Sequence, residues 1–267
     1  MDRFSQIDRI PDKIVNDYND IASVYNPIMG DDYTNIIINP YYNLIIRSLR
    51  NQSKLRFLDI GCGAGAFLYK CAEKFEADFF GIDLSYRQIE EARKKAKKSN
   101  CQLHFEIGDL VDINYPKNCD VITLNLDTLN HITNINNWSR VFAKVFSALR
   151  RGGIFLFDVN SKKRLLEDWH YPEVIVKEKM TYVQCEINSS YREKIARSKI
   201  LMKIFASTND KFKIHTAIIE QISVSKSTIQ KMLEKNGFVN IKIVDDYKNF
   251  KSNHIFLKNR LFFQCRK

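Results

Sequence analysis

Phe57-Leu58-Asp59-Ile60-Gly61-Cys62-Gly63-Ala64-Gly65 is an apolar β-run that breaks into a glycine loop, and Phe79-Phe80-Gly81-Ile82-Asp83 is a second β-run ending on an acid twenty positions after Gly63. The first run is too apolar for a surface segment. Its glycines remove the Cβ atoms that would hold a ligand away from the backbone where strand turns into helix. An acid at the tip of the neighbouring strand can accept two hydrogen bonds from ribose hydroxyls. The pairing predicts a nucleoside-cofactor site with Gly61, Gly63 and Asp83 in it.

Two cofactor classes use this geometry. A dinucleotide fold needs bare N–H groups for a pyrophosphate and no carboxylate close by. Asp59 lies two residues before the first glycine. A carboxylate there repels phosphate and suits the ammonium of S-adenosylmethionine (SAM).

Working outward, alternating strands and helices predict a parallel sheet covered on both faces. The strands are expected at 57–60, 79–83, 103–107, 120–125 and 154–157. The helices between them bury Phe67, Leu68, Cys71 and Ala72, then Ile89, Ala92 and Ala96 behind a Ser85 N-cap, then the Trp138 to Leu149 stripe stopped by Gly152-Gly153. From 174 to 224 the alternation of Phe212, Ile214, Thr216, Ile218, Ile222 and Val224 reads as antiparallel strands. A short helix around Ile229, Met232 and Leu233 and two final β-runs end the chain. Four regions follow: a helical N-terminal arm (1–50), broken at Pro27 and Gly30 and expected to act as a lid; a cofactor-binding core (51–160); an antiparallel substrate-covering insertion (161–225); and a C-terminal helix and strands completing the core sheet (226–267).

The bulk numbers exclude several function classes. No apolar stretch is long enough for a transmembrane helix and no signal-peptide core follows Met1, so a cytoplasmic protein is expected. Six cysteines without a C-x-x-C pair suggest neither zinc nor a disulfide framework. The formal charge of +11 invites nucleic acid, but the densest basic run, Arg93 to Lys98, ends a helix, where cations complement the dipole. No aromatic residues interleave with it to stack bases, so an RNA-binding or RNA-methylating role is the weaker reading.

The string Asp-Ile-Gly-Cys-Gly-Ala-Gly, with Gly108-Asp109-Leu110 after the third β-run, resembles the class I SAM-dependent methyltransferases. The resemblance implies a Rossmann-like α/β fold in which Asp83 binds the ribose and Asp109 sits by the adenine amino group, with Leu84 and Leu110 beside them. Asn125-Leu126-Asp127-Thr128-Leu129-Asn130-His131 and Phe157-Asp158-Val159-Asn160 resemble the strand tips of a branch that methylates small molecules. In that branch an arm Tyr, matching Tyr25, lies close to the sulfonium, and Tyr33 of Asp32-Tyr33 also matches; Asn125, Tyr25 and Tyr33 are therefore expected at the cofactor.

Two carboxylates at neighbouring strand tips repel each other unless a cation or solvent lies between them. Asp158 first and Asp127 second are thus expected to hold a substrate ammonium and accept or relay its proton. His131 has either a proton-transfer or a loop-orienting role, and Asn125 and Asn130 have a second reading, satisfying backbone groups at strand ends. No metal is expected, since SAM is already an activated donor and no ligand cluster has the spacing. The arm around Met1 to Pro11 and Asn16 to Asp20, with the two acidic tips, also resembles the plantazolicin-type N-methyltransferases, which dimethylate the N-terminal Arg of an azole-modified peptide. That resemblance implies an aromatic-lined tunnel, for which Phe4, Tyr25, Tyr41, Tyr42, Trp138 and Trp169 are candidates, and acids for the Arg among Asp31, Asp32, Asp127 and Asp158. A smaller amine, such as an amino sugar or amino acid, is the alternative acceptor.

Overall fold

The computed structural model describes residues 18–19, 21–30, 34–38, 41, 45, 55–97, 102–208, 211–244 and 257–267. Strands β1 (Leu55–Ile60), β2 (Ala77–Asp83), β3 (Leu103–Ile107), β4 (Cys119–Leu124) and β5 (Leu149–Asn160) run parallel in the order β5-β4-β1-β2-β3. β11 (Arg260–Arg266) returns antiparallel beside β5, and β10 (Val239–Val244) closes that edge of a seven-stranded sheet. Apolar clusters fill both faces. One is centred on Phe57, Phe67 and Phe79, the other on Trp138, Phe142, Phe155 and Phe157.

Helices pack where the spacing of apolar residues demands. Helix α1 (Ala22–Tyr25) belongs to the arm, and α2 (Ala66–Ala72) buries Phe67, Leu68 and Cys71 after the glycine loop. Helix α3 (Tyr86–Ala96) starts on Ser85, whose hydroxyl accepts from the Gln88 N–H. Its last turn carries Arg93, Lys94 and Lys95, where the dipole favours them. Helix α4 (Ile135–Ala148) buries the Trp138 stripe.

Two local expectations change. The glycine pair Gly152-Gly153 does not separate helix from strand: β5 begins at Leu149, which pairs with Cys119, and runs through both glycines. Pro27 ends the α-helical geometry, as expected, but not the helical path: the chain continues from α1 into a π-helical turn, Asn26–Gly30.

Between β5 and the C-terminal helix α6 (Lys226–Lys235) lie α5 (Lys162–Leu166) and four antiparallel strands in the order β6 (Glu173–Lys177), β7 (Met180–Arg192), β8 (Ile195–Thr208), β9 (Lys211–Ser223). This second sheet lays one face on the molecule: Tyr182, Ser198, Ile200, Met202 and Gln221 on it are nearly inaccessible. No helix of the described residues is long and apolar enough to cross a membrane.

Candidate active site

The strand order reverses between β1 and β4, and in open α/β sheets the crevice beyond the strand ends opens at that point. A cavity of about 400 Å³ lies there, lined by the glycine loop, the tips of β1 to β4 and the arm. Asp59 reaches it from the end of β1. Its Oδ1 accepts from the Thr123 hydroxyl (2.6 Å) and the Asn125 side-chain amide (3.3 Å). Burial pushes its carboxyl up to about 7, against the lowering effect of the Thr123 bond. Asn125 Oδ1, also buried at the cavity, has no hydrogen-bond partner among the described residues. A carboxyl that burial keeps near neutrality beside an orphaned amide oxygen fits an incoming ammonium.

The loop adopts the shape that only glycine allows cheaply. Gly61 has φ +72°, and a Cβ there would overlap the Thr128 side chain; Gly63 has φ +52°, and a Cβ there would meet only Gln88 Oε1 at 3.8 Å. Open space at Gly63 leaves its backbone approachable from the cavity. Asp83 braces the loop, its Oδ2 accepting from Gly63 N and its Oδ1 from Ser85 N, both at 2.8 Å. Each oxygen keeps a lone pair for a diol. Burial raises the Asp83 carboxyl despite those two bonds. Asp109 is exposed at the rim, its Oδ1 accepting from Val111 N (2.7 Å), with Leu84 and Leu110 also lining the cavity.

Tyr18, Tyr25 and His131 also line the cavity. Tyr18 meets Tyr25 and His131 edge-on, with ring centroids 5.2 and 5.5 Å apart, and its hydroxyl lies 3.2 Å from His131 Nε2. Burial pushes the Tyr18 and Tyr25 hydroxyls up, so both stay neutral donors. Asp127 Oδ2 is 3.6 Å from the same Nε2. Burial alone would raise the Asp127 carboxyl, but the Arg260 guanidinium, then His131 and Gln221, outweigh it and hold it well below the usual carboxylate range.

The expectation for Asp158 is corrected here. It is fully buried and does not line the cavity. Its Oδ2 accepts from Leu126 N (2.9 Å), and its Oδ1 from Asp127 N (2.8 Å) and from Arg260 Nη1. Asp127 likewise does not line the cavity, with Arg260 Nη2 at 2.7 Å. The cation that two neighbouring carboxylates require is therefore Arg260, delivered by β11, and not a substrate amine. Leu126 and Asp127 both hold left-handed backbone (φ +57° and +50°), costly for residues with a Cβ, and the Asp158 carboxylate clamps that turn.

Other expected residues divide as follows. Asn130 satisfies strand ends: Nδ2 donates to Asn160 O and Ile222 O, and Oδ1 accepts from Asn160 N. Trp138, Trp169 and Tyr41 are buried in the core and do not line the cavity, which corrects their place in an aromatic tunnel. Tyr33, Phe4, Tyr42, Asp31 and Asp32 lie outside the described residues. Among the described residues no group of three or more His, Cys, Asp or Glu side chains forms a metal cluster. Sequence reasoning missed Arg260, Gln221 and the Tyr18 hydroxyl. Only Arg260 left a signal: the two acidic tips demanded a counter-charge, and it stands just before the apolar run Leu261-Phe262-Phe263.

The Rossmann-like sheet, with its glycine loop between acidic strand tips, defines a SAM-dependent methyltransferase fold. The chain belongs to the methyltransferase domain family, whose model matches residues 51–237. It is 26% identical over 255 residues to the putative methyltransferase YqeM of Bacillus subtilis (strain 168), a match covering 94% of this chain and 97% of that one. Over 166 residues it is 27% identical to phosphoethanolamine N-methyltransferase 3 of Arabidopsis thaliana, covering 52% of this chain but only 34% of the plant protein's length. A SAM-dependent methyltransferase from Clostridium acetobutylicum ATCC 824 superposes with a TM-score of 0.73 at 21% identity, covering 93% of this chain and 98% of that one. At that identity the likeness shows the fold.

Asp59 gives the site a pH dependence. An ammonium bound beside it favours the carboxylate, so the carboxyl that sits at about 7 in the free protein falls on binding. SAM affinity should be flat well above pH 7 and weaken by up to about tenfold per unit below it. Calorimetry at pH 6 and 8 in buffers of different ionisation enthalpy should register proton release at the lower pH. Equal affinity at both would mean that Asp59 does not meet the ammonium. In the free protein the same raised carboxyl contributes stability that is fully present below its unfolded value, about 3.9, and is lost as pH rises through 7.

Proposed function

We propose that the protein transfers the methyl group of SAM to the nitrogen of an amine. The observation that carries this is the group on the cavity wall in which His131, with an ionised Asp127 near its Nε2, meets the ring and hydroxyl of Tyr18, which in turn packs on Tyr25. Aromatic rings attract an ammonium, and an imidazole with a carboxylate near it can take the ammonium's proton. SAM supplies an activated methyl: the nitrogen's lone pair forms the new N–C bond while the C–S pair leaves with sulfur. Asp59 and Asn125 hold the cofactor's ammonium, Asp83 its ribose, and Asp109 with Leu84 and Leu110 its adenine end. His131 accepts the amine's proton. Asp127 balances the resulting imidazolium, and Asp158 acts only through the turn it clamps.

A small amine is the acceptor we favour. The similarity to a phosphoethanolamine N-methyltransferase supports amine chemistry, and the core positions of Trp138 and Trp169 remove two walls of the tunnel that a long polyazole would need. The N-terminal arm keeps the plantazolicin-type peptide as the second reading, because Tyr18 and Tyr25 of that arm reach the cavity. Incubating the protein with SAM and, separately, phosphoethanolamine, amino sugars, amino acids and an Arg-terminated azole peptide tests both. Mass spectrometry should find methylated nitrogen in a small-amine arm; product only with the peptide would reverse the preference. Methylation of RNA or of phenols alone would remove the amine reading altogether.

The ribose assignment has its own test. Asp83→Ala should weaken SAM binding by about 2–3 kcal/mol, the scale of lost charge-assisted hydrogen bonds. Titration calorimetry measures it, and affinity equal to the native protein's would misplace the ribose.

A further inference from the structure

The inserted sheet touches the proposed base at one side chain. Gln221, on β9, is buried, and its Nε2 lies 3.1 Å from His131 Nε2 while also donating to Asp127 Oδ2. Its Oε1 accepts from the Asn160 side chain at 2.9 Å. Arg260 keeps Asp127 ionised, with Nη2 at 2.7 Å. An ionised carboxylate has no proton to offer, so the end of the Gln221 amide that faces it must be the NH₂. The same NH₂ faces His131 Nε2 at 3.1 Å, nearer than Asp127 Oδ2, which lies 3.6 Å from that nitrogen. With a donor as the nearer group, Nε2 is set to present its lone pair in the resting protein.

We propose that Gln221 is a positioning residue that fixes the tautomer of His131, holding its proton on Nδ1 and its lone pair on Nε2. This rests on the amine reading for its catalytic meaning, although the tautomer itself does not. The Tyr18 hydroxyl, 3.2 Å from the same nitrogen, donates to that lone pair until an amine N–H takes its place. In the step so prepared, the ammonium N–H bond breaks, the proton passes to Nε2, and the electron pair stays on the amine nitrogen for attack on the methyl. The division of labour is specific. Asp127 balances the imidazolium that forms, whereas Gln221 sets which nitrogen offers its lone pair beforehand. One strand of the insertion, none of whose described residues lines the cavity, thereby sets the state of the base.

Nitrogen-15 NMR of the imidazole side chains reads this directly in the full-length protein, which has only five histidines to assign. In the native protein His131 should show a pyridine-type Nε2 and a protonated Nδ1. In Gln221→Met the amide donor is gone, the Tyr18 hydroxyl can donate or accept, and the Asp127 carboxylate can only accept, so the proton should move to Nε2. With a methylated amine in hand, kcat of that variant should fall by about 10²-fold while KM for the amine stays within about threefold. A native His131 protonated on Nε2 would overturn the proposal, as would an unchanged tautomer in Gln221→Met. If the variant does not fold, the native spectrum alone decides. Should no amine be methylated while the tautomer is as stated, the functional reading fails and this one stands.

Discussion

Replacing Arg260 with Met should lower the stability of the protein by about 3–5 kcal/mol, the cost of stranding buried carboxylates. The guanidinium is almost inaccessible and contacts Asp127 and Asp158 together. Met keeps most of the volume and removes the charge. Two acids a few ångströms apart then have no counter-ion, and either both ionise at high cost or one takes a proton and breaks the Asp158 clamp on Leu126 and Asp127. Urea unfolding of the single variant and of Arg260→Met combined with Asp127→Asn provides the check. The combined change should cost clearly less than the sum of the two singles, because removing one acid relieves the stranded charge. A loss under about 1 kcal/mol for Arg260→Met would mean that solvent reaches the pair. The same geometry revises what Asp158→Asn does: an NH₂ would meet a backbone or guanidinium N–H, so the change should appear first in stability and only through it in turnover.

His131→Gln should cost about 10²–10⁴-fold in turnover while leaving SAM affinity within a few-fold, the pattern of a positioned acid–base group that does not hold the cofactor. The side chain lines the cavity and meets Tyr18, and the hydrogen bonds that brace the glycine loop run from Gly63 N and Ser85 N to Asp83 without it. Steady-state kinetics with a methylated amine, together with calorimetry for SAM, separates the two effects. Turnover within tenfold of native would leave His131 as an orienting residue and transfer proton removal to solvent. A comparable loss in SAM affinity would place His131 against the cofactor instead of the acceptor.

What the sequence determined by itself is the cofactor half of this protein. Strand, glycine loop and acid follow one another within a single β-α-β unit, so the spacing from Asp59 to Asp83 is read along the chain, and the parallel sheet follows from the alternation of apolar runs with helical stripes. Even there the limits were local. Apolar spacing assigned Leu149 to a helix stripe, whereas pairing with Cys119 draws it into β5. Only the tertiary structure decided the acceptor half. Asp158 and Asp127 looked like a substrate anchor because their counter-charge lies 102 and 133 positions away, on a strand that returns antiparallel beside β5. Tyr18 looked like one more apolar residue of a helix, Gln221 like a polar position in an alternating strand, and the Trp residues like tunnel walls. Each depends on which distant segments fold onto the strand tips. Hydrogen bonds and ion pairs between segments leave no periodicity in the sequence, whereas a turn, a strand and a phosphate-sized or ribose-sized gap between them do.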